Sequence, residues 1–151
     1  MGQSLSQMYI HLVFGTKGRY PFIKESCENW LHAYMAGILK NMESPAIIIN
    51  SVPDHAHILF RLSKNYALAK VVEQVKKESS KWMKQIVHGD KNFTWQIGYG
   101  AFSVSSSALE TVKRYIQNQK EHHHIQSFQE EIEEYVKHYD IIEYDPVYFW
   151  D

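Results

Sequence analysis

Apolar side chains recur with two different periods along the chain, and the switches between them mark out the elements. Met8 to Gly15 (Met-Tyr-Ile-His-Leu-Val-Phe-Gly) is dense in β-formers and predicts a strand. Thr16 to Pro21 follows as a polar loop carrying Lys17 and Arg19. Over residues 24–42, Trp30, Leu31, Tyr34, Met35, Ile38 and Leu39 fall on one helical stripe, which Ser44-Pro45 ends. Ala46 to Val52, with three consecutive isoleucines, predicts a short buried strand. Pro53-Asp54 is a turn, and His55 to Leu62 resumes as a strand, so the pair forms a hairpin or lies side by side.

A long helix is predicted over residues 66–87. Leu68, Val71, Val72, Val75, Trp82, Met83 and Ile86 take one side, and Lys70, Lys77, Lys81 and Lys84 the other. Gly89-Asp90 breaks it. Trp95 to Val104 predicts another strand, with Gly98 and Gly100 inside it. Ser105 to Ser107 supply N-cap candidates for a helix over about residues 108–121. Ser127 and Glu130 form a capping-box pattern ahead of a last helix with Phe128, Ile132, Tyr135, Val136 and Tyr139 on its apolar face. The aromatic stretch from Ile141 to Asp151 is expected to pack back on the body or on a partner.

The element order β-α-β-β-α-β-α-α matches the split βαβ layout, an α+β ferredoxin-like sheet. Helices are expected to cover one sheet face, leaving the other for a partner, a substrate or a second subunit. The chain of 151 residues reads as a single domain 1–151. Its core spans about 8–124, with an appended acidic helix and tail over about 125–151.

Charge sharpens that division. Residues 1–120 carry 15 Lys/Arg against 8 Asp/Glu, a net of +7, and residues 121–151 carry 1 against 9, a net of −8. The overall net charge of −1 hides this asymmetry. A basic body can attract phosphates, although a lysine stripe also serves as a solvated face. No apolar run approaches the roughly 20 residues of a membrane span, and no charged-then-apolar leader opens the chain. Gly2 and Ser6 fit the loose myristoylation pattern, which is short enough to arise by chance. The lone cysteine, Cys27, cannot form an internal disulfide and fits a reducing compartment. The expected location is therefore cytoplasmic, at the nucleoid when bound to DNA.

Two pairs of residues carry candidate chemistry. His55 and His57 stand at i and i+2 on a predicted strand, so both rings point to one face. Two neutral imidazoles placed so can hold one divalent metal, or can simply be two buried, hydrogen-bonded histidines. A metal would need a further ligand. Tyr115 and Gln119 stand at i and i+4 on a predicted helix and share a face. A carboxamide oxygen suits a hard cation such as Mg²⁺ or Mn²⁺. A phenol can act as a nucleophile if a base or a metal-polarised target assists it. The run His122, His123, His124 points in three directions on a helix and chelates poorly; it reads better as cationic groups at a helix C-terminus.

The chain resembles the IS200-like single-tyrosine transposases of the histidine–hydrophobic–histidine (HUH) class. The residues that carry the likeness are Tyr9-Ile-His-Leu-Val-Phe, Arg19-Tyr-Pro-Phe, Pro53-Asp54-His55-Ala56-His57-Ile58-Leu59, Trp95-Gln-Ile-Gly-Tyr-Gly-Ala-Phe102 and Val112-Lys-Arg-Tyr115-Ile-Gln-Asn-Gln119. The resemblance implies that His55 and His57 bind a metal with Gln119 as third protein ligand. It implies that Tyr115 attacks a phosphodiester in single-stranded hairpin DNA, giving a 5′-phosphotyrosine and a free 3′-hydroxyl. It also implies Mg²⁺ or Mn²⁺ as cofactor and a homodimer whose sheets merge, in which the tyrosine helix of one subunit can complete the other's site. Gly98, Gly100 and Ser105–Ser107 are candidate pivots for that exchange. No nucleotide cofactor is implied, in keeping with the lack of a P-loop signature. Lys17, Arg19, Lys70, Lys77, Lys81 and Lys84 are the candidate phosphate contacts. Ala56 is a small residue where a bulkier apolar one is usual, and the acidic tail argues against DNA contacts there.

Three other readings remain at this stage. A domesticated relative tied to repetitive palindromes would use the same chemistry on a chromosomal hairpin. A silent relative would bind DNA only. A metal phosphodiesterase would use water as nucleophile, with Tyr115 a bystander.

Overall fold

Four antiparallel strands form one sheet, and helices lie against both of its faces. The computed structural model describes residues 2–86, 89–122 and 126–151. The strands are β1 (Tyr9–Gly15), β2 (Ala46–Val52), β3 (His55–Arg61) and β4 (Gly100–Val104). The helices are α1 (Glu28–Asn41), α2 (Leu68–Met83), α3 (Leu109–Gln117), α4 (Gln119–His122), α5 (Phe128–His138) and α6 (Pro146–Phe149). Sheet order is β2-β3-β1-β4, the ferredoxin-like order expected for two βαβ halves.

Strand alternation sorts side chains cleanly. Ile10, Leu12 and Phe14 of β1 and Ala56, Ile58 and Phe60 of β3 point to one face, where Leu31, Met35 and Leu39 of α1 and Val72, Val75 and Met83 of α2 cover them. Ala56 is fully buried in this layer. His11, Val13, His55, His57 and Leu59 point to the other face.

That second face is where the structure departs from expectation, because the chain covers it with its own helices. Ile116 and Val112 of α3 pack on Leu59 and Val104. Phe128 and Ile132 of α5 pack on Val13 and Phe102. The capping box is formed: Ser127 Oγ accepts from the Glu130 backbone N–H at 3.2 Å. The tail returns as expected, with Phe149 and Trp150 against the α5 cluster.

Two element boundaries moved for identifiable reasons. The strand expected from Trp95 begins only at Gly100. Lys76 Nζ donates to the carbonyls of Gln96, Ile97 and Gly98 at 2.6, 2.9 and 2.9 Å, so those groups cannot join a ladder. The helix expected over 108–121 ends at Gln117 and restarts at Gln119. Asn50 Nδ2 donates to the carbonyls of Ile116 and Gln117 at 2.9 and 3.2 Å, capping α3 from β2. Among the described residues no helix is long and apolar enough to cross a membrane.

Candidate active site

β3 sets the site. Its pairing places His57 opposite Val13 and His55 opposite Gly15. Both imidazoles are fully buried. His55 Nδ1 lies 2.7 Å from an Asp54 carboxylate oxygen, an orienting bond that leaves Nε2 aimed into the site. His57 Nδ1 lies 2.8 Å from His11 Nε2, which likewise leaves Nε2 inward. The two rings are 5.2 Å apart at their centroids.

α3 brings Tyr115 to the same place. Its ring lies 6.1 Å from that of His57 and 6.3 Å from that of His11. The phenol donates a hydrogen bond to Glu131 of α5. Gln119, at the start of α4, is fully buried; its side chain bonds to the Tyr115 phenol, and its Nε2 donates to the Tyr115 carbonyl at 3.4 Å. The helix break at Asn118 has therefore not separated the pair.

The acid in the middle was not singled out by the sequence reading. Glu131 Oε1 stands 3.0 Å from His57 Nε2 and 3.3 Å from His55 Nε2, and the residue is fully buried. His55, His57 and Glu131 offer ligand atoms within 4.8 Å of one another, a group that could hold a metal ion. The two separations from Glu131 Oε1 pass a geometric test. Ligands at about 2.1 Å from a shared ion, subtending 90–110°, stand roughly 3.0–3.4 Å apart. A signal for Glu131 was present: Phe128, Glu131, Ile132 and Tyr135 fall at i, i+3, i+4 and i+7, so a carboxylate interrupts a buried stripe. His11 also carried one, since it shares a strand face with Val13.

Burial and charge tune the groups. Burial pushes His11 down to about 3, with His57 adding to the shift and Glu131 opposing it. Burial disfavours the charged form of His55 too, but its bonds to Asp54 and Glu131 outweigh that and raise it above 6.5. Tyr115 is held well above its ordinary value of 10, first by burial and then by the Glu131 carboxylate; bonds from Tyr135 and Gln119 partly offset this. The resting phenol is protonated. Phe128 stacks on His55 at 4.0 Å and 6°, and closes the outer side. Its approach requires glycine at position 15, where an added Cβ would lie 2.5 Å from the Phe128 ring and 3.2 Å from the Asp54 carbonyl.

The candidate phosphate contacts divide into two groups. Lys17 and Arg19 are exposed beside the β1 end that carries Gly15; Arg19 donates to Gln129 of α5 at 2.8 Å and lies 4.8 Å over the Trp150 ring. Lys70, Lys77, Lys81 and Lys84 are exposed on or just beyond α2, the helix on the opposite sheet face. The structure does not bring them to Tyr115. The site closes within one chain. Of the histidine run at 122–124, the ring of His122 and all of His123 and His124 lie outside the described residues.

A ferredoxin-like domain with two inward histidines, a buried carboxylate and a tyrosine on a following helix defines the class: a small α+β domain of the tyrosine transposase type. The chain belongs to the IS200-like transposases, whose family model matches residues 4–119. Two solved structures share the fold. One, a protein of Deinococcus radiodurans R1 assigned as a transposase, is 20% identical with a TM-score of 0.59, over 79% of this chain and 96% of that one. The other, a REP-associated tyrosine transposase bound to a REP hairpin, is 12% identical with a TM-score of 0.61, over 82% of this chain and 74% of that one. No curated protein matches the chain.

Proposed function

We propose that this transposase cuts and rejoins single-stranded DNA at hairpin-bearing ends through a covalent bond to Tyr115. The observation that carries the reading is the convergence of Tyr115, His55 and His57 on one buried point from separate elements. In the proposed step the Tyr115 oxygen attacks phosphorus and the bond from phosphorus to the 3′-oxygen breaks. The phenolic proton is given up and the leaving oxygen gains one, so the products are a 5′-phosphotyrosine and a 3′-hydroxyl. The link conserves the phosphodiester bond energy, so a 3′-hydroxyl can reverse it.

His55 and His57, with Gln119 as the further ligand implied by the family resemblance, would hold Mg²⁺ or Mn²⁺. When bound, the ion supplies a Lewis acid for the scissile phosphate. Asp54 and His11 orient the two rings so that each Nε2 faces the site. Gln119 and Glu131 fix the direction of the phenol. Lys17 and Arg19, at the rim, are the proposed nearby phosphate contacts, and the α2 lysines add a diffuse positive field on the far side. Hairpin DNA as partner follows from the family and from the hairpin held by one fold relative. A homodimer is the family's expected assembly, although the site does not need a second copy to bring its residues together.

The test is covalent capture. Labelled single-stranded hairpins drawn from palindromes of the host chromosome are incubated with the protein and Mn²⁺, then denatured. A labelled protein adduct is expected, and Tyr115→Phe abolishes it while retaining binding. Cleavage without an adduct, unchanged in Tyr115→Phe, would establish the hydrolytic reading instead. Binding with neither product would make the protein a silent relative.

A further inference from the structure

The family match ends at residue 119, yet the buried acid at the centre of the site is residue 131. We propose that Glu131 is a working metal ligand and the positioning residue for Tyr115, which makes the C-terminal helix α5 part of the active site. This rests on reading the histidine pair as a metal site.

The two carboxylate oxygens divide the labour. Oε1 faces the Nε2 atoms of His57 and His55 at 3.0 and 3.3 Å, the spacing of ligands around one ion. Oε2 accepts the hydrogen bond of the Tyr115 phenol. A single rigid group therefore spans the ion and the nucleophile and fixes the distance between them. A fully buried carboxylate is costly unless neighbours compensate it; here His55 and His57 face one oxygen, Tyr115 bonds the other, and Tyr135 stands beside them. The helix is built to deliver it. The capping box fixes the start of α5, and Phe128 stacks on His55.

α5 in place does not seal Tyr115 from DNA. A cleft of about 700 Å³ lies between α3 and α5, with His11 and Tyr115 lining it beside Tyr135 and His138. A strand can approach the phenol there while Glu131 stays bound.

Mn²⁺ titration by calorimetry, on the full chain without DNA, tests the assignment. Glu131→Gln is expected to weaken Mn²⁺ binding by about tenfold or more, the least loss expected when a direct ligand is changed. Glu73→Gln, the same change at an exposed acid of α2 across the sheet, should leave it within about twofold. Because a variant can misfold, a second measurement uses wild type alone: Mn²⁺ should slow amide exchange across residues 128–138. Equal Mn²⁺ affinity in Glu131→Gln, or unchanged exchange in α5, overturns the proposal while leaving the histidine site standing. Faster adduct formation by Glu131→Gln also overturns it, since Glu131 would then be a plug. Wild type that binds no Mn²⁺ removes the metal reading itself, and this proposal with it.

Discussion

The two faces of the sheet are built from the same strands and answer to different rules. The α1/α2 face is mostly apolar, with Leu12, Phe14, Ile58 and Phe60 fully buried and Ser51 and Ser79 as buried polar exceptions bonded to His32 and Trp95. The α3/α5 face buries His11, His55, His57, Gln119 and Glu131 as well as Leu59 and Ile116. Burial on the first face removes apolar area from water. On the second it requires each polar group to find a partner, which yields a network able to do chemistry. The comparison teaches that a ferredoxin-like sheet can assign stability to one side and reactivity to the other by strand alternation alone.

Breaking the first face should cost most stability. Phe60→Ala is expected to lose about 3–5 kcal/mol in urea unfolding. His57→Ala, three residues earlier and on the other face, should leave a folded chain that binds no Mn²⁺ and forms no adduct. Equal stability losses from the two would erase the distinction.

Gly15→Ala tests how closely the second face is packed. The new methyl meets the Phe128 ring held between His55 and Trp150. A loss of about 1–3 kcal/mol is expected, together with faster amide exchange in α5. Exchange that stays at the wild-type rate would mean that Phe128 yields freely.

Acid should act through the second face. In EDTA, an unfolded chain protonates His11 near pH 6.5, whereas the folded chain resists until about pH 3. Between those values the unfolded state binds the extra proton, so stability falls as pH falls, by at most about 1.4 kcal/mol per pH unit. His55 works the other way. Its folded value is raised, so its contribution is full below pH 6.5 and is lost as pH rises through the folded value. His11→Gln should flatten the acid limb between pH 6.5 and 3; an unchanged limb would assign it elsewhere.

The smallest effects concern DNA affinity. Lys17→Ala and Arg19→Ala are each expected to reduce the salt slope of single-strand binding by about 0.7, the share of one phosphate. Lys77→Ala and Lys81→Ala, on the far face, should change it less. The reverse order would move the DNA path to α2.

Much of the fold could be read from periodicity. The β2–β3 pair, the stripes of α1 and α2 and the capping box of α5 are local patterns, each carried by side chains close in sequence. The errors came where a distant group intervened. Lys76 claims three carbonyls that a strand from Trp95 would have used. Asn50 stops α3 at Gln117. In the site, His55, His57, Tyr115 and Gln119 were all legible; Tyr115 lies beside His57, and Gln119 lies against Tyr115. Glu131 was not singled out, because its helix was read as an acidic appendage to the core.

Sequence alone determined the parts: which residues alternate on a strand, which share a helix face, and that two histidines point the same way. Those follow from backbone geometry within a few residues. Tertiary structure decided which helices close over the histidine face and which acid stands between them. Docking depends on the summed shape and apolar area of whole elements, and no short window of the chain contains that sum.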